Sequence, residues 1–315
     1  MKSNIQQIFD HIEKSNPIHA KYLKKVNLNE EEKVELENLI RFYLNQGFSI
    51  NKQANAYLLF LNDTLKEIYY FIEHGTYRYS TLKDVEDKIY FNHDYMENYM
   101  IGLAISNFIW DTHIAIRRYF IDLMQNNNIF GKYLEIGPGH GNFFLQSLKF
   151  GQFSELLGVD ISPTSCEMTK KIVSFNDHKA KQKCQFICMD FLEYDFNEQF
   201  DFITIGEVLE HVENPKNFLN KARKILSDDG NIFITVPING PAVDHIYLFS
   251  HPDEVKNMIK NCELEIVKEE YFMANNYSLK KALETRNAII MVALLKKNYK
   301  ISLYSKIFSK SSLNS

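Results

Sequence analysis

The chain has 315 residues, of which 45% are hydrophobic and 24% are charged, so it can bury a sizeable core and has the length of about two domains. Its formal net charge of −4 provides no basic field for a phosphate backbone, which argues against nucleic acid as a partner. No run approaches the roughly 18 apolar residues that span a bilayer, and the first residues lack the uninterrupted apolar core that is typical of a secretory signal. The four cysteines lack paired or zinc-binding spacing, so we expect a protein of the reducing cytoplasm, without a membrane partner.

The first 125 residues are predicted to form an all-helical domain. Apolar residues recur at helical spacing over residues 27–47, 51–75 and 94–125, and the first run has an asparagine start and a terminal glycine. The third run is apolar on nearly all sides, which predicts that it is buried. Eleven of the 18 tyrosines lie in this region, and side chains of this kind suit either a pocket wall or a subunit interface.

From Tyr133 onward, short β-rich runs alternate with helical patterns. Strands are predicted in YLEI, ELLGVD, QFICMD, FDFITIG and NIFITVP, and helices are predicted to start near Asn142, Thr164, Asn214 and Pro252. Two further strands are predicted in ELEIVKEEYF and NAIIMVALLKK. Such alternation is typical of a parallel sheet covered by helices on both faces. We assign residues 126–298 to this second domain and interpret residues 299–315 as a solvated basic tail.

A glycine-rich turn follows the first of these strands. Glu135 ends the strand, and Gly137, Gly139 and Gly141 come at alternate positions before the next helix. Glycines in this place permit a tight turn and the close approach of a ligand to bare backbone. A dinucleotide-binding fingerprint would need glycine at the sixth position counted from Gly137, and this chain has Asn142 there. The turn is therefore predicted to bind something other than a dinucleotide.

Acidic residues also end the next strands. Asp160 follows the second strand, where a carboxylate can accept hydrogen bonds from both hydroxyls of a ribose. Asp190 and Phe191 end the third strand, and they offer an acceptor for an amino group beside an aromatic ring. Glu207 follows the fourth strand. Because the carboxyl ends of parallel strands converge, these residues are expected to line one crevice.

With these four segments in order, the chain resembles the class I S-adenosylmethionine-dependent methyltransferases over residues 133–297. The resemblance implies an α/β, Rossmann-like sheet of seven mostly parallel strands with an antiparallel last strand, for which NAIIMVALL is suited. It also implies S-adenosylmethionine as the cofactor, with EIGPGHG, including Glu135, receiving the methionine part. Asp160 would bind the ribose and Ile161 the adenine, while Asp190 and Phe191 would hold the adenine end. Glu207 would line the methyl end.

Candidate catalytic residues lie mainly after the fifth strand, in VPINGPAVDHIYLFSHPDEV. His245 is the leading candidate for a general base or an acceptor-orienting residue, with Tyr247 close by in sequence. His211 and Glu207 are weaker catalytic candidates. Methyl transfer from a sulfonium is an in-line displacement that depends mainly on positioning, so we expect no metal site.

The helical domain is expected to cover the acceptor side as a lid, a dimerisation surface or both, so that its helices could form a homodimer. Its proposed acceptor-binding residues are Tyr95, Tyr99, Trp110 and His113. The favoured reaction is transfer to an oxygen, nitrogen or carbon atom of a small molecule. Two alternatives stay open at this stage: a protein or RNA acceptor, and a non-catalytic scaffold that keeps the fold and the cofactor.

Overall fold

Side-chain caps begin most of the helices that precede the sheet. The computed structural model describes residues 2–177, 182–274 and 277–299. Asn29 and Glu32 form a reciprocal capping box at the start of the third helix, and Gly75 ends the fourth helix in a left-handed conformation. The helices are α1 (Asn4–Ser15), α2 (Pro17–Leu23), α3 (Glu30–Asn45), α4 (Ile50–His74), α5 (Leu82–Val85), α6 (His93–Ser106) and α7 (Asp111–Asn126), with a π-helical turn over Glu86–Tyr90.

The prediction of one continuous helical run over residues 94–125 was wrong, because this segment forms α6 and α7. The amide of Asn107 donates a hydrogen bond to the Leu103 carbonyl oxygen, and the backbone N–H of Phe108 bonds to the Ile105 carbonyl. The backbone bond spans three residues and tightens the last turn, while the side-chain bond of Asn107 spans four residues and satisfies a carbonyl group at the helix end. The break lets α6 pack against α4, while α7 reaches the sheet domain. The predicted burial of α6 is confirmed.

The sheet has the predicted seven strands. They are β1 (Phe130–Ile136), β2 (Gln152–Asp160), β3 (Cys184–Cys188), β4 (Phe200–Gly206), β5 (Leu226–Ile238), β6 (Leu264–Met273) and β7 (Ile289–Lys297). Their order is β3-β2-β1-β4-β5-β7-β6, and β7 is antiparallel to both of its neighbours. The predicted α/β class and the antiparallel last strand are therefore confirmed.

Within the described residues, five α-helices connect or flank these strands. They are α8 (Asn142–Phe150), α9 (Pro163–Asn176), α10 (Pro215–Ile225), α11 (Pro252–Asn261) and α12 (Leu279–Glu284). All four predicted helix starts lie within one residue of the observed ones. The register pairs Ile136 with both Val159 and Ile205, so the carboxyl ends of β1, β2 and β4 meet at the same edge.

The helical region and the sheet domain share apolar cores. Ile172 of α9 packs into the core of the N-terminal helices, and Ile246, after β5, packs with Phe60 and Tyr99. Within the described residues, no helix combines the length and the apolar character that a membrane crossing requires. Except for Tyr299, the predicted basic tail lies outside the described residues.

Candidate active site

The turn between β1 and α8 exposes bare backbone to a cavity. Gly137 has a φ angle of +66°, and a Cβ atom added to it would lie 2.8 Å from Cγ2 of Val208. A side chain there would therefore be both strained and crowded. The backbone N–H of Gly139 donates a hydrogen bond to Oδ2 of Asp160 over 3.1 Å. Gly141 precedes α8 and packs towards Ile172, so it supports the turn from behind and does not line the cavity.

This cavity has a volume of about 710 Å³ and lies between the strand ends and the N-terminal helices. One side carries the glycine turn and the acids at the carboxyl ends of β1 to β4. The other side carries aromatic and methionine side chains from the helices, namely Phe60, Tyr90, Met96, Tyr99, Met100 and Trp110. No lysine or arginine is found among the described residues that line it. The electrostatic environment therefore favours a cationic ligand.

Two acids at the strand ends are almost fully buried. Glu135 is 2% exposed and accepts a hydrogen bond from the Tyr133 hydroxyl at 2.6 Å, and burial raises its pKa to about 8. Asp160 is 8% exposed, and burial raises its pKa to about 6 although it accepts hydrogen bonds from the backbone of Ser162 and Gly139. A buried carboxylate is costly to ionise without a partner, so both positions would be stabilised by a ligand that brings hydroxyls or positive charge.

The residues predicted for the adenine end also lie at the cavity. Ile161 and Asp190 line it, and Oδ1 of Asp190 accepts a hydrogen bond from the backbone N–H of Leu192 at 2.7 Å. Phe191 contributes to the wall, but it is 3% exposed and its ring packs against Phe196 and Phe218. Phe191 therefore supports the wall from the core and offers little free ring surface to a purine.

Glu207 is held in a strained conformation at the end of β4. Its φ angle is +51°, which is uncommon for a residue with a side chain and often marks a functional position. The Thr235 hydroxyl donates to Oε1 of Glu207 at 2.7 Å, and the backbone N–H of Glu207 bonds back to Thr235. This reciprocal pair fixes the Glu207 carboxylate at the cavity wall.

The two predicted histidines lie side by side. The rings of His211 and His245 are perpendicular, with centroids 4.7 Å apart, and both line the cavity. Nδ1 of His211 lies 3.0 Å from the Tyr90 hydroxyl and 3.1 Å from the backbone oxygen of Asp244. Tyr90 and Tyr99 both donate hydrogen bonds to the Asp244 carboxylate. The helical region thus contacts the strand ends through hydrogen bonds at the cavity.

His245 is poorly suited to accept a proton in this environment. Its Nδ1 atom lies 2.6 Å from the Gly240 carbonyl oxygen. Burial, and then the neighbouring His211, lower its pKa to about 3. A histidine with such a pKa stays neutral and is a weak base. The structure therefore supports a positioning role for His245 more than the role of general base.

Glu210 was missed by the sequence analysis. It is completely buried, and its Oε1 atom lies 3.5 Å from Nε2 of His211 and 3.8 Å from Nε2 of His245. Neither of its carboxylate oxygens has a hydrogen-bond partner among the described residues. The available signal was its position three residues after Glu207, in the same short segment that follows a strand.

The structure divides the proposed acceptor-binding residues. Tyr99, Trp110 and His113 line the cavity, and burial lowers the pKa of His113 to about 3. Tyr95 does not line it, because its hydroxyl donates a hydrogen bond to Asp63 at 2.8 Å. Tyr247 also lies outside it, with its ring packed on Phe249.

Comparison with known proteins identifies the family to which this architecture belongs. Residues 112–287 match the family described as a methyltransferase domain. The chain belongs to this family. Residues 112–287 are thus an S-adenosylmethionine-dependent methyltransferase domain, and the predicted family and cofactor are confirmed.

Curated relatives match part of this methyltransferase chain. The ubiquinone biosynthesis O-methyltransferase of Glaesserella parasuis is 30% identical over 139 residues, which are 43% of this chain and 57% of the relative. The mitochondrial ubiquinone biosynthesis O-methyltransferase of Dictyostelium discoideum is 31% identical over 110 residues, or 32% of this chain and 34% of the relative. The chain thus matches only about a third to three fifths of the length of these relatives.

A solved structure has a similar fold. It is a complex between the Haloferax volcanii Trm112 methyltransferase activator and a methyltransferase. The match has a TM-score of 0.50 at 13% identity and covers 68% of this chain and 96% of the other. At this identity the similarity concerns the fold alone.

The residues present fit S-adenosylmethionine. The bare backbone at Gly137 leaves room for close approach, and the buried acids Glu135 and Asp160 face a cavity with no lysine or arginine among its described lining residues. A cofactor with an ammonium group, a sulfonium and ribose hydroxyls supplies both the charge and the donors that these acids require.

Proposed function

We propose that this protein transfers a methyl group from S-adenosylmethionine to a hydroxyl oxygen of a small, largely apolar molecule. The cavity carries this proposal, because it joins the cofactor residues and an aromatic wall within about 710 Å³. Volumes of roughly 300 to 1,000 Å³ are typical of sites that enclose small ligands. The O-methyltransferases among the curated relatives support oxygen as the acceptor atom.

In this proposal, Glu135, Gly137 and Gly139 hold the methionine part of the cofactor, and Asp160 and Asp190 hold the ribose and the adenine. When bound, the cofactor would supply a methyl group carried on a sulfonium. The bond from the sulfur to the methyl carbon would break as the bond from that carbon to the acceptor oxygen forms. The protein mainly aligns the two reactants, an effect that can reach roughly 7 to 11 kcal/mol.

The helical region has two roles in the proposed reaction. Met100, Tyr99 and Trp110 provide apolar surface that orients the acceptor and excludes water. Tyr90 and Asp244 hold the imidazole of His211 at the cavity wall, where this imidazole accepts the hydroxyl proton of the methyl acceptor. The ring of His245 packs against the imidazole of His211 and helps to position it.

Two measurements test the proposal. Calorimetry should show that the purified chain binds S-adenosylmethionine, with an Asp160→Ala variant binding more weakly. Incubation with methyl-labelled cofactor and a panel of phenols and other small hydroxylated molecules should give labelled ethers by mass spectrometry. Labelling of protein or RNA with no small molecule methylated would contradict the proposed acceptor class. Cofactor binding without transfer to any acceptor would favour the scaffold alternative.

A further inference from the structure

The side chain of Asn107 connects the glycine turn with the helices on the opposite side of the cavity. Asn107 lies between α6, which ends at Ser106, and α7, which begins at Asp111. It is 9% exposed and lines the cavity. The acceptor wall is the set of aromatic and methionine side chains on the helical side of the cavity. The helix α6 and the start of α7 supply four of them, namely Met96, Tyr99, Met100 and Trp110.

Three polar contacts direct the Asn107 amide. Its Nδ2 atom lies 2.9 Å from the carbonyl oxygen of Leu103 and 3.3 Å from Nε2 of His140. Its Oδ1 atom accepts a hydrogen bond from Nδ2 of Asn142 at 3.3 Å. His140 is part of the glycine turn, and Asn142 is the first residue of α8. A single side chain thus joins the end of α6 to the turn and to the helix that follows it.

These contacts permit one arrangement of hydrogen bonds. A carbonyl oxygen can only accept, so the atom of Asn107 that faces Leu103 is the amide nitrogen. The second hydrogen of that nitrogen points to Nε2 of His140, which therefore accepts. The imidazole proton then resides on Nδ1, and the 3.2 Å approach of the Asn142 backbone nitrogen to Nδ1 is a contact rather than a hydrogen bond. A reversed amide would place two acceptors against each other at Leu103.

The residue before His140 is held from other elements. The Thr169 hydroxyl on α9 donates to the Gly139 carbonyl oxygen at 2.6 Å, and the Gly139 N–H bonds to Asp160 at the end of β2. Met100 of α6 packs close by, with its sulfur 3.6 Å from a Cβ atom added to Gly139. The sheet domain therefore fixes Gly139, whereas Asn107 links His140 to the helical region.

We propose that Asn107 is a positioning residue that holds the glycine turn, and with it the methyl group of the cofactor, in register with the acceptor wall. This inference rests on the proposed function, in which the turn holds the methionine part of the cofactor and α6 and α7 hold the acceptor. The two reactants are then bound by separate elements. An in-line displacement tolerates little misalignment, since a shift of about 1 Å can cost roughly 100-fold in rate. The Asn107 bridge joins the two elements without contact to the reacting atoms.

Calorimetry with S-adenosylmethionine alone tests the bridge from the cofactor side. Asn107→Ala should weaken binding about fivefold, because a lost neutral hydrogen bond corresponds to roughly 2- to 10-fold in an equilibrium constant. Asn142→Ala should weaken it about twofold, although Asn142 does not line this cavity. Asn98→Ala is the matched control and should bind as the wild type does. Nδ2 of Asn98 also donates to a carbonyl four residues earlier on α6, that of Asp94, but makes no bond to the turn.

A double variant separates positioning from direct contact with the cofactor. Asn107→Ala combined with Asn142→Ala should bind the cofactor about as weakly as Asn107→Ala alone, because both substitutions break the same bridge. Effects that multiply in the double variant would show that the two residues act independently, and the proposal would be overturned.

Turnover measures the alignment itself. With a phenol that the wild type methylates, and with both substrates saturating, Asn107→Ala should lower kcat by at least about tenfold. Saturation removes the effect of weaker binding, so a structural role confined to cofactor affinity would leave kcat unchanged. The Asn98→Ala control should keep the kcat of the wild type. An unchanged kcat in Asn107→Ala would overturn the positioning role.

Hydrogen exchange detects the bridge without cofactor or turnover. Backbone amides of residues 137–142 should exchange faster in Asn107→Ala than in the wild type or Asn98→Ala, with circular dichroism showing that each variant is folded. Equal exchange in all three would overturn the proposal. Faster exchange in a protein whose wild type binds no S-adenosylmethionine would instead overturn the proposed function and leave the bridge supported. If Asn107→Ala does not fold, Asn142→Ala should still show faster exchange and weaker binding than Asn98→Ala.

Discussion

The backbone N–H of Gly139 donates a hydrogen bond to the carboxylate of Asp160 over 3.1 Å. The acid that ends β2 therefore fixes the turn that follows β1. The other carboxylate oxygen is bonded to the backbone of Ser162, so Asp160 is oriented before any ligand arrives. Orientation of this kind lowers the entropic cost of binding.

Substitution of Asp160 by asparagine is expected to weaken cofactor binding by at least about tenfold. The amide keeps the size of the side chain but loses the charge and one acceptor, and hydrogen bonds to charged groups contribute roughly 1.5 to 3 kcal/mol. Calorimetric titration with S-adenosylmethionine measures the effect. An Asp229→Asn variant, which changes an exposed acid on β5, is the control. Equal affinities in the two variants would contradict the assigned role of Asp160.

Cofactor affinity is expected to increase with pH between about 5 and 8. In the free protein, burial raises the pKa of Asp160 to about 6 and that of Glu135 to about 8, so both bind protons more readily than usual. A cationic ligand stabilises their ionised forms, and binding therefore releases protons. Each proton released makes binding up to about tenfold weaker per pH unit below the pKa of its group.

Calorimetry at several pH values, in two buffers that differ in ionisation enthalpy, measures this proton release. A Glu135→Gln variant is expected to lose the upper part of the pH dependence, because the remaining acid titrates near pH 6. An affinity that stays constant across this range would show that neither acid changes its charge on binding.

A Gly137→Ala substitution should lower both stability and cofactor affinity. The left-handed conformation alone costs a residue with a side chain roughly 1 to 2 kcal/mol, and the added Cβ would also lie 2.8 Å from Val208. Gly47→Ala is the matched control, because Gly47 has a φ angle of +89° with no atom within 4 Å of the added Cβ. Urea denaturation measures the free energy of unfolding, and calorimetry measures cofactor affinity.

We expect the control to lose stability through backbone strain alone and to bind the cofactor as the wild type does. The Gly137 variant should lose more stability and also lose affinity. If both variants behaved alike in both measurements, crowding at the turn would have no role.

Removal of the Glu32 carboxylate should destabilise the junction between α3 and α7. Glu32 is 3% exposed and accepts two hydrogen bonds from Arg118 at 2.6 and 2.7 Å, and Nη1 of the buried Arg117 lies 3.7 Å away. Breaking a fully buried ion pair from one side costs about 3 to 5 kcal/mol, and the loss of stability here is expected to be smaller because the side chain of Arg118 is 49% exposed. A Glu32→Ala variant should therefore unfold at lower urea concentration than Glu31→Ala, which removes an exposed neighbouring acid. Equal midpoints would show that these contacts contribute nothing net.

Much of the sheet domain could be predicted because its signals are local. Alternating β-rich runs and helices dictate a parallel sheet, and such a sheet brings its strand ends to one edge. Glu135, Asp160, Asp190 and Glu207 could therefore be expected to line one crevice, and all four line the cavity.

The break between α6 and α7 could not be predicted in the same way. Helical apolar spacing continues through Asn107, yet the helix ends there, and α6 packs onto α4 while α7 packs onto the sheet domain. The sequence also could not separate Tyr95 and Tyr247, which lie outside the cavity, from Tyr99, which lines it. Composition shows that a side chain suits a pocket wall, whereas the direction of its helix or loop decides whether it reaches one.

The sequence by itself determined the succession of strands in the sheet domain, the glycine turn and the acids at the strand ends, because each depends on residues close together in the chain. Only the tertiary structure decided which side chains meet across elements. Glu210 and His245 are 35 positions apart, and their approach depends on how the loop after β5 packs against the turn after β4. Long-range packing thus decided which chemistry one wall of the cavity can support.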